Sequence, residues 1–452
     1  MRVFMLGWEF PPFISGGLGT ACYGLTKAMS GIGTDIIFVI PRPVSNPFST
    51  HVRLVSPRPG SQLASPATEF RLDEFERVSF RTVDANLTNP YNTPADYDVE
   101  QARLEREAVR SKVTVATTTV SGGRPSSGGD ATSLNPSQTN AHYAGNLFNE
   151  VARYANLASE IARGEAFDIV HAHDWMTYPA GLAVAGLSGK PLVVHVHSTE
   201  FDRSGQNVDQ RIYDIERRGM HAAMKVIAVS ALTKSIIVKH YGVDPAKVDV
   251  VYNAIETNGN GLGFDDRYNI HKDEKIVLFL GRITMQKGPE YFLAAAKKVL
   301  EVMDNVKFVM AGSGDLIRRT IEMAAAMGIG HKVLFTGFLR GADVDRIFQM
   351  ADLYVMPSVS EPFGIAPLEA MSHDVPVIIS KQSGVSEVIQ NALKVDFWDV
   401  DEMANKIVAV LRHPPLGQTL RQHGSFEIRR MSWTDAARSC VEVYQQVLAM
   451  MK

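Results

Sequence analysis

The run Glu361-Pro362-Phe363-Gly364-Ile365-Ala366-Pro367-Leu368-Glu369 holds two carboxylates at a spacing that could do chemistry. Glu361 precedes a helix expected to start near Gly364, with Pro367 tolerated in the first turn because no backbone donor is needed there. Glu369 then lies about one and a half turns inside the helix. Each carboxylate can accept hydrogen bonds from vicinal hydroxyls, such as those of a sugar and a ribose. The helix start at Phe363, Gly364 and Ile365, between them, suits a phosphate. Retaining glycosidases also use two carboxylates, but sequence spacing does not supply their required separation. The plain structural alternative is a capped helix with two exposed acids.

Cations stand earlier, in Gly281-Arg282-Ile283-Thr284-Met285-Gln286-Lys287-Gly288, directly after an apolar strand. The carboxyl ends of strands are where open α/β sheets bind ligands. Arg282 through forked donors and Lys287 as a point charge could neutralise a diphosphate, or could be a solvated pair on a loop. A glycine turn with Glu9, Gly16, Gly17 and Gly19 follows the first strand, and strand, glycine turn and helix together aim free N–H groups at an anion. This turn has neither the Gly-Lys-Ser/Thr of a Walker loop nor a GxGxxG fingerprint. Two HxH elements, His171-Ala172-His173-Asp174 and His195-Val196-His197-Ser198-Thr199-Glu200, close apolar strands, so alternate residues share a face. Four histidines and two acids could in principle hold zinc. Buried, hydrogen-bonded histidines are commoner, and no metal ligand is assigned. No Gly-x-Ser-x-Gly elbow and no CxxC occurs, against hydrolase and zinc-ribbon readings.

The elements that must position these residues alternate short β-branched runs with longer helical stretches, the pattern of parallel sheets covered by helices. A first series has strands at Val3–Leu6, Ile36–Ile40, Ile169–Val170, Leu192–Val196, Val226–Val229 and Val248–Val251. A second has Ile276–Leu280, Lys307–Ala311, Val333–Phe335, Leu353–Met356 and Val377–Ile379. Their near-continuous apolarity fits strands buried on both faces. The fold class is therefore α/β, with two Rossmann-like domains, 1–256 and 270–427, joined by a glycine-rich linker near Asn253–Asn269. Eleven of the nineteen residues from Ser121 to Thr139 are Ser, Thr or Gly, so a disordered loop is expected at 113–141.

At 452 residues, 45% hydrophobic and 21% charged, the chain is ordinary for a globular protein. Its net charge of −3 lacks the basic footprint of a dedicated nucleic-acid binder. Cys22 and Cys440 cannot make a disulfide framework and fit a reducing compartment. No run of eighteen apolar residues appears, the start is too short for a signal peptide, and the expected location is cytoplasmic. The basic helical stretch Arg103–Lys112 is interrupted by acids, so peripheral membrane contact is not favoured.

Taken in order, the Gly-Gly turn, HxHDW, Arg…Lys-Gly and Glu-Pro-Phe-Gly…Glu resemble retaining glycosyltransferases of the GT-B fold. The likeness is to the family 4 group that shades into short bacterial and archaeal glycogen synthases. Asp352 to Ser358, Pro376 to Ile379, Ala228-Val229-Ser230 and Val251 to Glu256 carry it further, leaving out roughly residues 70 to 141. The resemblance implies two domains facing across a cleft, a nucleotide-sugar donor held mostly by the second, an acceptor on the first, and no metal or other cofactor. Arg282 and Lys287 would stabilise the leaving diphosphate, Glu369 the ribose, and Glu361 the donor-sugar hydroxyls. Gly16 and Gly17 would cradle phosphate, and His173 would touch the donor sugar. Glu9, His197 and Glu200 are acceptor-side candidates. The last helix, within 428–452, would cross back to the first domain. Ile14 stands where bacterial glycogen synthases carry a lysine, while the runs Trp8 to Gly19 and Thr199 to Arg203 favour that branch. The implied reaction is transfer of glucose from UDP- or ADP-glucose to an α-1,4-glucan. Transfer to a lipid-linked or cell-envelope sugar, a sugar-nucleotide epimerase, and a catalytically silent glucan-binding scaffold are the alternatives.

Overall fold

The computed structural model describes residues 1–10, 17–41, 52–54, 67–72, 77–83, 85, 139–256 and 274–451. The expected loop over 113–138, most of the linker, the Arg103–Lys112 stretch and Gly16 lie outside these residues. Thr139 to Ala141, included in the expected loop, instead begin a helix.

Nine strands form the first sheet: β1 (Arg2–Leu6), β2 (Asp35–Pro41), β3 (Val52–Leu54), β4 (Ala67–Leu72), β5 (Val78–Val83), β6 (Ile169–His173), β7 (Leu192–Val196), β8 (Lys225–Ala228) and β9 (Val248–Val250). Their spatial order is β3-β4-β5-β2-β1-β6-β7-β8-β9, parallel except where β4 meets β3 and β5. Six strands form the second: β10 (Lys275–Leu280), β11 (Val306–Ala311), β12 (Val333–Gly337), β13 (Leu353–Met356), β14 (Val377–Ser380) and β15 (Leu393–Val395). It is wholly parallel, in the order β12-β11-β10-β13-β14-β15. From β5 to β8 the first sheet repeats the same 3-2-1-4-5-6 sense, extended by β9. Both are doubly wound, and each reverses direction beside its first strand, at β1/β6 and at β10/β13. A crevice opens at the carboxyl ends of strands at such a point, which fixes where the site must lie.

The helices that matter for the site are α1 (Gly17–Gly31), α2 (Thr139–Arg163), α3 (Glu200–Ser204), α4 (Ala231–Tyr241), α5 (Ala366–Ser372) and α6 (Trp433–Met450). Although last in the chain, α6 is part of the first domain's core. Its buried residues Trp433, Ala436, Ala437, Cys440, Val443, Tyr444 and Val447 recur at helical spacing and make one apolar stripe. The stripe lies against α1, where Gly24 has no room for a side chain: a Cβ there would sit 2.3 Å from the Trp433 ring.

The seam between the domains is polar and specific. Glu387 of the second domain accepts from the Ala231 and Leu232 amides at 2.8 Å each, capping α4 of the first. Ser360 donates to Asp202 at 2.6 Å, and Thr233 to the Pro362 carbonyl at 3.3 Å. Glu387→Ala leaves the α4 amides without their acceptor. We expect it to cost about 1 kcal/mol, the usual value of a lost cap, read as a lower unfolding midpoint of the intact chain. An unchanged midpoint would show that water replaces the carboxylate at no cost.

Candidate active site

On the second domain, Lys287 and Glu361 are brought together from loops after β10 and β13, 74 residues apart in sequence, and form an ion pair. Backbone sterics make the approach possible. Gly288, at φ 64°, would place a Cβ 2.2 Å from the Pro357 carbonyl oxygen, so only glycine lets the Lys287 turn lie on the Glu361 loop. The Gln286 carbonyl accepts from Val359 at 2.9 Å and ties the same two loops. Glu361 also accepts from the Ser358 hydroxyl at 3.2 Å.

Arg282 follows β10, where Gly281 and Gly312 meet so closely that a Cβ on Gly312 would lie 1.8 Å from the Gly281 oxygen. The Gly312-Ser313-Gly314 turn after β11 is a part of the site that the sequence reading did not single out. Its signal was a glycine pair closing an apolar strand. Helix α5 begins at Ala366 rather than near Gly364, because Gly364 has φ 99°, outside the helical region. Glu369 is thereby in the first turn of a helix only seven residues long, so charge at this end comes from side chains. Burial pushes the Glu369 carboxyl above the ordinary carboxylate range, with His373 opposing.

These groups line one cavity of about 320 Å³. Arg282, Lys287, Glu361, Phe363, Gly364, Ile365 and Glu369 come from the second domain, and Gly17, Leu18, His197, Ser198 and Asn253 from the first.

Three expected residues do not reach the cavity. His173 is fully buried behind His197, its Nδ1 2.9 Å from His197 Nε2, and burial lowers its pKa to about 3. His197 is the ring on the wall. Glu200 is held by Arg203 at 3.1 Å, accepts from the Asp209 amide at 3.2 Å and is absent from the cavity wall. Glu9 is also buried and absent from the cavity wall.

Asp174 explains how the His197 loop is held. It sits at φ 57°, a conformation open to Asp and Asn among the residues with side chains, and accepts from the His197 amide at 2.7 Å and the Ser198 amide at 3.3 Å. Burial raises its pKa from 3.8 to about 7 against the pull of those amides and of Arg203. The folded state therefore keeps a proton that the unfolded chain releases, and this stabilising contribution is lost as pH rises from about 4 through about 7. Asp174→Asn has no such titration, so its unfolding temperature should gain on the parent's as pH rises from 4 to 7. A pH-independent difference would assign Asp174 an ordinary pKa.

Among the described residues no helix is long and apolar enough to cross a membrane. Comparison with known proteins places these features in a family. The profile "Glycosyltransferase Family 4" matches residues 103–258, and "Glycosyl transferases group 1" matches 264–425. An uncharacterized glycosyltransferase of Methanocaldococcus jannaschii is 33% identical over 303 residues, 64% of this chain and 77% of that one. Glycogen synthase of Mycobacterium tuberculosis is 23% identical over 98% of this chain and 94% of its own. In fold, sucrose-phosphate synthase from Thermosynechococcus elongatus superposes with a TM-score of 0.69 at 17% identity, over 99% of both chains. With its two doubly wound sheets and the cavity between them, the chain belongs to the family 4-type glycosyltransferases of the GT-B fold, enzymes that transfer sugars.

Proposed function

We propose that this enzyme is a retaining hexosyltransferase that moves glucose from UDP- or ADP-glucose to an α-1,4-glucan, with no metal in the chemical step. The observation that carries the reading is the Lys287–Glu361 pair, flanked by Arg282 and Glu369, on one cavity wall. A diphosphate entering there competes with Glu361 for the Lys287 ammonium. Exchange leaves Lys287 and Arg282 on the phosphates, where leaving-group charge develops, and frees Glu361 to accept from donor-sugar hydroxyls. Glu369, on the same wall, would accept from the ribose hydroxyls. His197 and Ser198 face this array from the first domain, on the side from which an acceptor hydroxyl would approach. Closure of the two walls excludes water that would otherwise hydrolyse the donor. With two cations supplied by the protein, diphosphate departure does not call for a bound metal. The glucan acceptor and the retained configuration rest on the glycogen-synthase resemblance, which in M. tuberculosis runs over nearly the whole chain.

The test is proton NMR of the product formed from α-configured donor and glycogen in the presence of EDTA. New α-linked glucose is expected. A β-linked product would overturn retention, and loss of turnover in a chain that stays folded in EDTA, restored by a divalent cation, would overturn metal independence.

A further inference from the structure

Behind the cavity wall lies a cluster of imidazoles that the transfer reaction does not use. His173 on β6 is in register with His195 on β7, so His171, His173, His195 and the following His197 share the face beneath α1 and α6. Ring centroids are 4.4 Å apart for His171 and His173, 5.3 Å for His173 and His195, and 4.2 Å for His195 and His197. His171, His173 and His195 are at most 1% exposed.

Their hydrogen bonding does not close. His171 Nδ1 meets the Tyr444 hydroxyl of α6, and His173 Nδ1 meets His197 Nε2. Among the described residues His171 Nε2, His173 Nε2, both ring nitrogens of His195 and His197 Nδ1 have no partner. A buried polar atom left unpaired costs about 1–3 kcal/mol, so a ligand that engages these atoms would stabilise the fold. The chemistry of the set narrows what that ligand is. Burial keeps all four rings neutral. Each neutral imidazole offers one lone pair, and with His197 Nε2 accepting from His173 Nδ1 those of His171, His173 and His195 remain for a metal ion. His171 and His173 each have Nδ1 engaged and Nε2 free, the pattern in which one ring nitrogen donates to an outer partner while the other faces a metal. Tyr444 can pass that hydrogen bond on, since its hydroxyl lies 4.0 Å from Met29 Sδ. One nitrogen from each of His171, His173 and His195 falls within 4.8 Å of the others, and Cys22 Sγ with His173 and His197 satisfies the same limit. Neither set contains a carboxylate, which disfavours magnesium or calcium and suits a late first-row ion.

We propose that His171, His173 and His195 form a buried binding site for a zinc-class divalent cation, with Tyr444 and His197 fixing the tautomers of the first two. Bonds of about 2.0–2.1 Å bring the nitrogens to about 3.4 Å from one another, so the rings draw inward on binding. The site joins the β6–β7 edge to the last helix through Tyr444, and its role is structural. None of the three ligands lines the cavity, so the proposal stands or falls apart from the transfer reaction.

The test uses the full chain, stripped of metal by chelation and titrated with zinc chloride alone. About one zinc per chain is expected by elemental analysis. The unfolding temperature should rise by about 5 °C or more at a hundredfold excess over Kd. Cobalt in its place should give the visible absorption of a tetrahedral site. His171→Gln with His195→Gln should abolish stoichiometric binding, and exposed His331→Ala should not. The unsubstituted chain decides the claim if that double variant fails to fold. An unfolding temperature indifferent to zinc would overturn the proposal, as would full binding by a folded double variant.

Discussion

Replacing Lys287 with alanine is expected to lower kcat by about 10²–10³-fold, the usual effect of removing one group that stabilises developing charge in a water-poor site. The argument rests on position. Lys287 is held on the cavity wall by a loop that only glycine at 288 allows, and it pairs with a Glu361 that is 6% exposed. Its charge is thus fixed before substrate arrives, and no reorganisation is required as the diphosphate departs. The fold should survive, because Lys287 is in neither apolar core and Glu361 keeps the Ser358 hydroxyl. Steady-state kinetics with circular dichroism checks both halves. A folded variant with parental kcat would remove Lys287 from the transition state.

Arg203→Met carries the largest expected loss of stability. Arg203 lies between two buried carboxylates, pairing with Glu200 at 3.1 Å and with Glu216, and it donates to the Ser198 carbonyl at 3.2 Å. Its side chain is 8% exposed, and those of Glu200 and Glu216 are 7% and 3%. Removing the cation from such a set costs about 3–5 kcal/mol, because the remaining charges stay buried without compensation. A fall in unfolding temperature on the order of 10 °C follows. The sign of the pH dependence is also fixed. Burial already raises the Glu216 pKa, with Arg203 the main opposing influence. Without Arg203 it rises further, and a raised carboxyl pKa favours the folded state at low pH. The gap to the parent should therefore narrow on acidification from pH 7 to 5, as followed by calorimetry. A gap that widened would locate the loss in packing rather than charge.

What could be read from the residues follows from how local each signal is. Strands such as Val277-Leu278-Phe279 and Val377-Ile378-Ile379 are buried on both faces, so their apolar runs declare a parallel sheet without tertiary information. Strand β5, Val78-Ser79-Phe80-Arg81-Thr82-Val83, alternates instead, the mark of a half-buried strand, and no apolar run announces it. In the site, Arg282, Lys287, Glu361 and Glu369 were legible by type, but the pairing of Lys287 with Glu361 depends on two loops meeting across the β10/β13 switch point. No spacing encodes that. The same limit explains His173 and His197: alternation places both on one face, yet which ring reaches the wall depends on Asp174 holding the second loop. Glu200 did carry a local signal. Thr199 and Asp202 form a capping box around it, and such a frame makes its carboxylate part of a helix start.

The central claim is that the cavity between the two sheets holds a nucleoside diphosphate sugar and passes its sugar to a saccharide. The measurement that bears on it most directly incubates the purified chain with a panel of sugar nucleotides, with and without glycogen, and identifies every product. Nucleoside diphosphate release that depends on glycogen and matches the sugar added to it is the predicted result. Release to water alone, a changed sugar still attached to its nucleotide, or binding without turnover would contradict the account.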